Sequence, residues 1–423
     1  MIDRIQAALK KCGISMWRIN ETAEETAELF FVRQALDTRR IKDVRKYEVT
    51  VFRDVESGGR GFTSVNLISS MEEEQLEREL EDAYYAARFA ANPPYELTEA
   101  VKAPPAAKTG ELAEVPLARS AGKMAKALFA PDTREDAFVN SAELFAVRKQ
   151  VHILSSEGTD VSYTDVNING EFVVQCREPE DVEIHNTFEY GELNEQALSA
   201  KVEEALTFVR DRARARRVLR SGACDLVLSG NAVAEVLSYY VQRSSASTVY
   251  AKYSTWQRGE DVQGEGTAGE RLNVNLCATI PYSAEGIPMA DMPLLREGKL
   301  EAYHGPNRFC RYLDVKPTGS YQKVACANGT VPFAELKKGP CLWAVVFSDF
   351  QMDAMSGHFG GEIRLAYLID GDTVTPVTGG SVNGSILEAQ KHLTFSTERY
   401  LTASYDGPYA VRLTGISVAG TEA

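Results

Sequence analysis

Five histidines, His152, His185, His304, His358 and His392, are the side chains best suited to hold a metal ion or move a proton near neutral pH. No two fall within one helical turn of each other, so no local H-x-x-x-H or H-E-x-x-H pair exists. A metal site would have to be assembled from distant residues such as His304, Cys310 and His358. The seven cysteines (Cys12, Cys176, Cys224, Cys277, Cys310, Cys326, Cys341) are odd in number and include no C-x-x-C pair. They read as reduced thiols, not as a disulfide framework or a zinc knuckle. No G-x-S-x-G elbow and no G-x-x-x-x-G-K-[ST] loop occurs. The glycine-rich stretches 357–361 and 379–384 lack the lysine that a phosphate cradle needs and read as turns and bulges. The run RDRARARR at 210–217 could be an anion patch or a solvated helix end with cations at the negative end of the dipole. With a net charge of −14 over 423 residues, the second reading is favoured and a nucleic-acid surface is disfavoured.

The elements that must position these groups point to an α+β chain. Its length exceeds what one core supports, so several units are expected. These are an N-terminal α/β segment with hairpins and packed helices (1–91), a Pro/Ala-rich linker (92–116), a middle α/β segment (117–220) and a C-terminal domain of mixed and antiparallel β-sheet (221–423). In the first segment, residues 2–12 pattern as a helix, and 28–33, 47–54 and 61–68 as strands. Residues 56–59 form a turn, and a helix runs from Met71 to about Ala91 behind a Ser70/Glu73 capping box. The linker shows no periodicity. In the middle segment, a helix over 117–129 precedes strands at 138–150, 151–155, 160–168 and 171–177. Asn169-Gly170 between the last two is the clearest hairpin signal in the chain. A helix over about 194–219 follows. Residues 223–229 form a strand and 232–243 a helix, and 256–290 pattern as a long loop. Residues 2–12 are amphipathic without a secretory h-region, which predicts a cytoplasmic protein with no membrane contact.

The stretch 341–400 carries the most specific pattern. A seven-residue apolar run (341–347) leads to a glycine-rich bend, then a strand over 362–369, a hairpin at Asp370-Gly371-Asp372, a return strand over 373–377, and breaks at Gly379-Gly380 and Asn383-Gly384 before a helix-like 385–393. In Ser348-Asp349-Phe350, Gly357, Ile369-Asp370-Gly371-Asp372, Pro376-Val377 and Val382-Asn383-Gly384-Ser385, the order and spacing resemble the C-terminal segment of the TldD/PmbA family.

The resemblance implies a test. The TldD branch carries a His-Glu-x-x-x-His motif on the helix after a "-V-V-L-" strand, where two imidazoles and a cysteine hold zinc and the glutamate is the general base. If Leu226-Val227-Leu228 is that strand, Ser238 and Tyr239 stand at the His-Glu pair and Arg243 at the second His. Serine is a poor zinc ligand, tyrosine cannot replace the carboxylate, and arginine repels the metal. The resemblance therefore points to the TldE/PmbA branch. It implies a non-catalytic subunit with no metal or cofactor of its own, paired with a zinc-bearing TldD-type partner that cleaves unfolded or small peptides. A stand-alone homodimeric peptide-binding scaffold and a peptidase with a rearranged metal site are the alternatives. A sheet edge near 362–369, with Asp349, Phe350, His358, Phe359 and Asn383 around it, is the candidate peptide-facing surface.

Overall fold

The structure, a computed structural model, describes residues 1–56, 58–90 and 92–421. Ser57 of the expected turn and the expected helix end at Ala91 lie outside the described residues. The fold is α+β, built on antiparallel and mixed sheets.

Segments 1–91 and 117–220 share one seven-stranded sheet. Its strands run, from one edge, Arg60–Leu67, Ala35–Asp54, Trp17–Val32, Ala137–Ser155 and Asp160–Cys176. The last of these takes both Val182–Tyr190 and the two-residue strand Ala106–Ala107. The strands are far longer than the apolar runs suggested: residues 28–32 are the end of the 16-residue strand Trp17–Val32, and 138–155 fall in the single 19-residue strand Ala137–Ser155. Alternation explains the difference. Even positions such as Leu144, Ile168, Phe172 and Val174 are buried under the helices Leu117–Phe129 and Glu195–Ala213, whose Met124, Leu128, Val202 and Leu206 join the same core. The opposite face of the same strands carries polar side chains such as Glu143, Lys149, Asn167, Asn169 and Glu171.

The helix over 71–91 is realised as Glu73–Ala87, with Leu76, Leu80 and Ala83 packed on Tyr47, Val49 and Val51. The capping box does not form, because Glu72 is the N-cap residue and makes no side-chain cap bond. Glu73 instead accepts from Arg4 Nε at 2.5 Å, while Arg4 also donates to Met71 O at 2.6 Å, so the first helix anchors this one.

Residues 92–116 form an ordered strap that ties the sheet to the C-terminal half. Asn307 donates to Glu96 O at 2.7 Å, Tyr312 to Pro93 O at 2.6 Å and Arg308 to Asn92 Oδ1 at 2.7 Å. Lys108 bonds Asp165 and Val166 O at 2.9 Å each.

The C-terminal half contains a closed five-stranded barrel. Gly222–Ser229 pairs with Ala410–Ala419, which pairs with Ser381–Ser385, then His358–Asp370, then Cys341–Met352. A parallel contact of Leu342–Ala344 with Leu226–Leu228 closes the ring. A six-stranded sheet beside it, which includes Val274–Cys277 from the expected long loop, shares its core through Leu276, Leu294 and Leu300. The Asp370-Gly371-Asp372 hairpin forms as expected, with Gly371 at φ +57°. The arginine run splits between the end of helix Glu195–Ala213 and the chain beyond it. Arg212 caps Glu183 O, Asp211 accepts from Tyr367 at 2.7 Å, and Arg210 and Arg214 lie 3.9 Å from Asp136.

Both Asn-Gly signals were misread. Asn169-Gly170 is mid-strand in Asp160–Cys176, flanked by neighbours on both sides, and Asn383-Gly384 lies inside Ser381–Ser385. Neither glycine has a positive φ. Each is required by close approach: a Cβ on Gly170 would lie 2.1 Å from Glu143 O and 2.8 Å from the Phe188 ring, and one on Gly384 2.4 Å from the Phe359 ring. In both cases the phenylalanine stands directly across the ladder from the glycine and covers it. The expected helix over 385–393 is correspondingly short, Ile386–Ala389. Gly170→Ala should therefore cost about 3 kcal/mol through overpacking, measured by urea denaturation. A near-neutral effect would contradict this account.

Candidate functional site

A cleft of about 1260 Å³ lies between the odd-numbered face of the N-terminal sheet and the C-terminal half. Its floor is Glu143, Phe145, Lys149, Asn167, Asn169, Glu171, Thr187 and Glu189, side chains that share one face because strand residues alternate. Helix Glu195–Ala213 adds Ala197, Lys201 and Glu204. Helix Asn231–Arg243 presents Asn231, Ala234, Glu235, Ser238, Val241 and Gln242, which recur every three or four residues and so form one stripe. A second recess of about 450 Å³ shares Lys201, Glu204, Asn231, Glu235, Tyr400 and Tyr409 with the first. Between the two, Lys201 Nζ donates to Tyr400 Oη at 3.2 Å, and Tyr400 donates to Asn231 Oδ1 at 3.0 Å. Tyr409 donates to Glu204 at 2.6 Å. Burial, reinforced by the Glu204 carboxylate, pushes the Tyr409 phenol well above its ordinary pKa and keeps it a donor.

The strand Val182–Tyr190 borders both spaces. It pairs on one side only, with Asp160–Cys176. Ala403 N–H donates to Glu189 O at 3.0 Å, and Arg212 donates to Glu183 O, which shows that these residues aim their backbone groups outward. By alternation His185 and Thr187 do the same. Their outward N–H and C=O groups have no partner among the described residues. The stretch is an open strand edge, capped at both ends, facing the cleft.

The sequence-predicted residues separate. Asp349 and Phe350 line the second recess. His358 and Asn383 are exposed on the barrel and line neither space, and Phe359 is buried against Gly384 and Phe350. The strand over 362–369 offers no edge, because Cys341–Met352 pairs it on one side and Thr373–Val377 and Ser381–Ser385 on the other. The open edge is Val182–Tyr190 instead, and the cleft floor was not singled out from the sequence. The period-2 alternation of E-L-F-A-V at 143–147 with V-N-I-N-G-E at 166–171 was the available signal.

Ser238 faces the cleft and accepts from Gln242 Nε2 at 3.4 Å. Tyr239 and Arg243 point elsewhere. Tyr239 is buried edge-on to Tyr240 and Trp256, at 5.2 and 5.6 Å, and burial raises its phenol pKa. The Arg243 guanidinium lies 5.4 Å from the Trp256 ring centroid and donates to Tyr253 O at 2.5 Å and Met355 O at 3.4 Å. This helix does not fit a zinc ion: its three motif positions supply a hydroxyl, a protonated phenol and a cation pinning two loops. The dispersed set fares no better. Cys310 is buried and its thiol is raised to about 11 by burial, His304 Nε2 donates to Val241 O at 2.9 Å, and His358 is exposed. Among the described residues no group of three His, Cys, Asp or Glu is placed to hold a metal.

Burial depresses the His304 pKa. As pH falls, the unfolded chain therefore takes up its proton first, so the stability from the neutral ring is complete above about pH 6.5 and lost below it. Urea midpoints should fall from about pH 7 to about pH 5, and His304→Gln should reduce that slope. The same slope in the variant would contradict the assignment.

Residues 221–420 match the profile of the PmbA/TldA metallopeptidase C-terminal domain. No curated protein matches the chain by sequence. Among solved structures, TldE from Thermococcus kodakarensis aligns over 99% of this chain and 100% of its own, with a TM-score of 0.79 at 15% identity. A protein from Thermotoga maritima described as a candidate modulator of DNA gyrase aligns over 99% of each chain, with a TM-score of 0.76 at 16% identity. One of the same description from Bacteroides thetaiotaomicron aligns over 99% of this chain and 98% of its own, with a TM-score of 0.77 at 16% identity. Among the described residues no helix is long and apolar enough to cross a membrane. Residues 221–420 thus carry the C-terminal domain of the TldD/PmbA family, and from end to end the fold is the one solved for TldE.

Proposed function

We propose that this chain is the non-catalytic, TldE-like subunit of a cytoplasmic TldD/TldE-type zinc peptidase that degrades or processes unfolded and small peptides. The observation that carries the reading is helix Asn231–Arg243. By the resemblance, Ser238, Tyr239 and Arg243 take the positions of the family's zinc motif, and of the three only Ser238 faces the cleft. A TldD-type partner supplies the zinc that activates the attacking water.

This chain's own residues bind and orient. The unpaired amides of His185 and Thr187 can take an extended peptide as an added strand, which holds the substrate by its backbone without reading its sequence. Asp349 and Phe350 border the recess where such a strand would continue. The Lys201–Tyr400–Asn231 bridge fixes the two halves of the molecule around it.

Metal analysis of the purified chain beside a peptidase assay on an unstructured peptide tests the reading. Neither zinc at stoichiometric level nor activity is expected from the chain alone, and activity should arise on addition of a TldD-type partner. Near-stoichiometric zinc with activity in the isolated chain would overturn it.

A further inference from the structure

The cleft floor carries a charge arrangement that packing alone does not explain. Glu143 and Glu171 stand directly opposite each other on adjacent antiparallel strands, both on the face that lines the cleft. Like charges at directly opposed positions destabilise a sheet. Glu143 has no hydrogen bond or ion pair among the described residues, and Glu171 meets only His185 Nε2 at 3.2 Å, a cation only when protonated. The cations of the same walls are committed elsewhere: Lys149 lies 3.4 Å from Glu24 and Arg399 2.5 Å from Asp406, carboxylates outside the cleft, and Lys201 is bound to Tyr400. The remaining carboxylates, Glu189, Glu204 and Glu235, accept only from neutral donors: an amide, a phenol and a backbone N–H. A concave wall with this balance focuses a negative potential into the cleft.

We propose that Glu143 and Glu171 form a subsite that selects extended peptides bearing a lysine or arginine. This deepens the peptide-binding reading above and rests on it. The register supplies the geometry. Thr187 lies in the same cross-strand row as Glu171, at the open edge. A peptide strand added there places its residue in that row about 10 Å from the Glu171 strand, two inter-strand spacings away. A long cationic side chain lying inward over the small Thr187 spans most of that distance.

The test uses the intact chain and labelled unstructured peptides identical except for a central Lys, Gln or Glu, with binding read by fluorescence anisotropy. The Lys peptide should bind roughly fivefold more tightly than the Gln peptide, the Glu peptide most weakly, and the differences should shrink at high salt. The variants Glu143→Gln and Glu171→Gln should each narrow the preference while binding the Gln peptide normally, and E143K should favour the Glu peptide. Because E143Q relieves a repulsion, its thermal midpoint without peptide should equal or exceed that of the parent chain. Equal affinity for all three peptides overturns the subsite and leaves peptide binding intact, and so does a preference that survives both glutamine variants. Failure of every peptide to bind overturns both readings.

Discussion

From Arg18 opposite Ser155 to Val32 opposite Ser141, two long strands pair without a register shift. That ladder joins the first thirty residues to a strand more than a hundred residues later. Because side chains alternate along a strand, one register fixes which residues face the helices and which face the cleft. A slip of one position would place Leu144 and Ile168 in the cleft and Glu143 and Asn169 under the helices. The whole division between core and binding surface in the N-terminal half depends on this pairing.

The C-terminal half meets the demand for paired strands differently. There five strands close on themselves, and a parallel contact, Leu342–Ala344 with Leu226–Leu228, completes the ring. Helix Asn231–Arg243 leaves the first of these strands at Gly230 and projects its polar stripe toward the N-terminal sheet. Its other side is occupied by Trp256, Tyr240 and the loops that Arg243 holds. Tyr239 and Arg243 on this helix thus serve its packing.

Much of the fold was legible where a short-range cause dominates. Residues 117–129 and 232–243 have helical periodicity and fold as helices, and Gly371 supplies the positive φ its hairpin requires. Strand lengths were not fully legible: the polar run at 20–25 hid the first part of Trp17–Val32, and Asn169-Gly170 split Asp160–Cys176 in two. The two Asn-Gly pairs failed for another reason: each glycine answers to a phenylalanine on a neighbouring strand, Phe188 or Phe359, and that contact is not local. The strap at 92–116 has no periodicity because it is held by distant partners, the helix Asn307–Tyr312 at one end and the strand Asp160–Cys176 at the other. Of the cleft walls, the helix carrying Ser238 was legible from its periodicity, whereas the open edge at His185 and Thr187 emerges only once the neighbours of every strand are known.

The closed barrel also sets the order in which the molecule can be completed. Gly222–Ser229 must wait for Ala410–Ala419, strands about 180 residues apart in the chain. Loop closure over such a distance makes folding slow. During synthesis the first barrel strand leaves the ribosome long before its partner, and Leu226, Val227 and Leu228 remain on an incomplete sheet until Ala410–Ala419 follows. Until that partner is in place, the edge of the first barrel strand stays open to pairing with other chains.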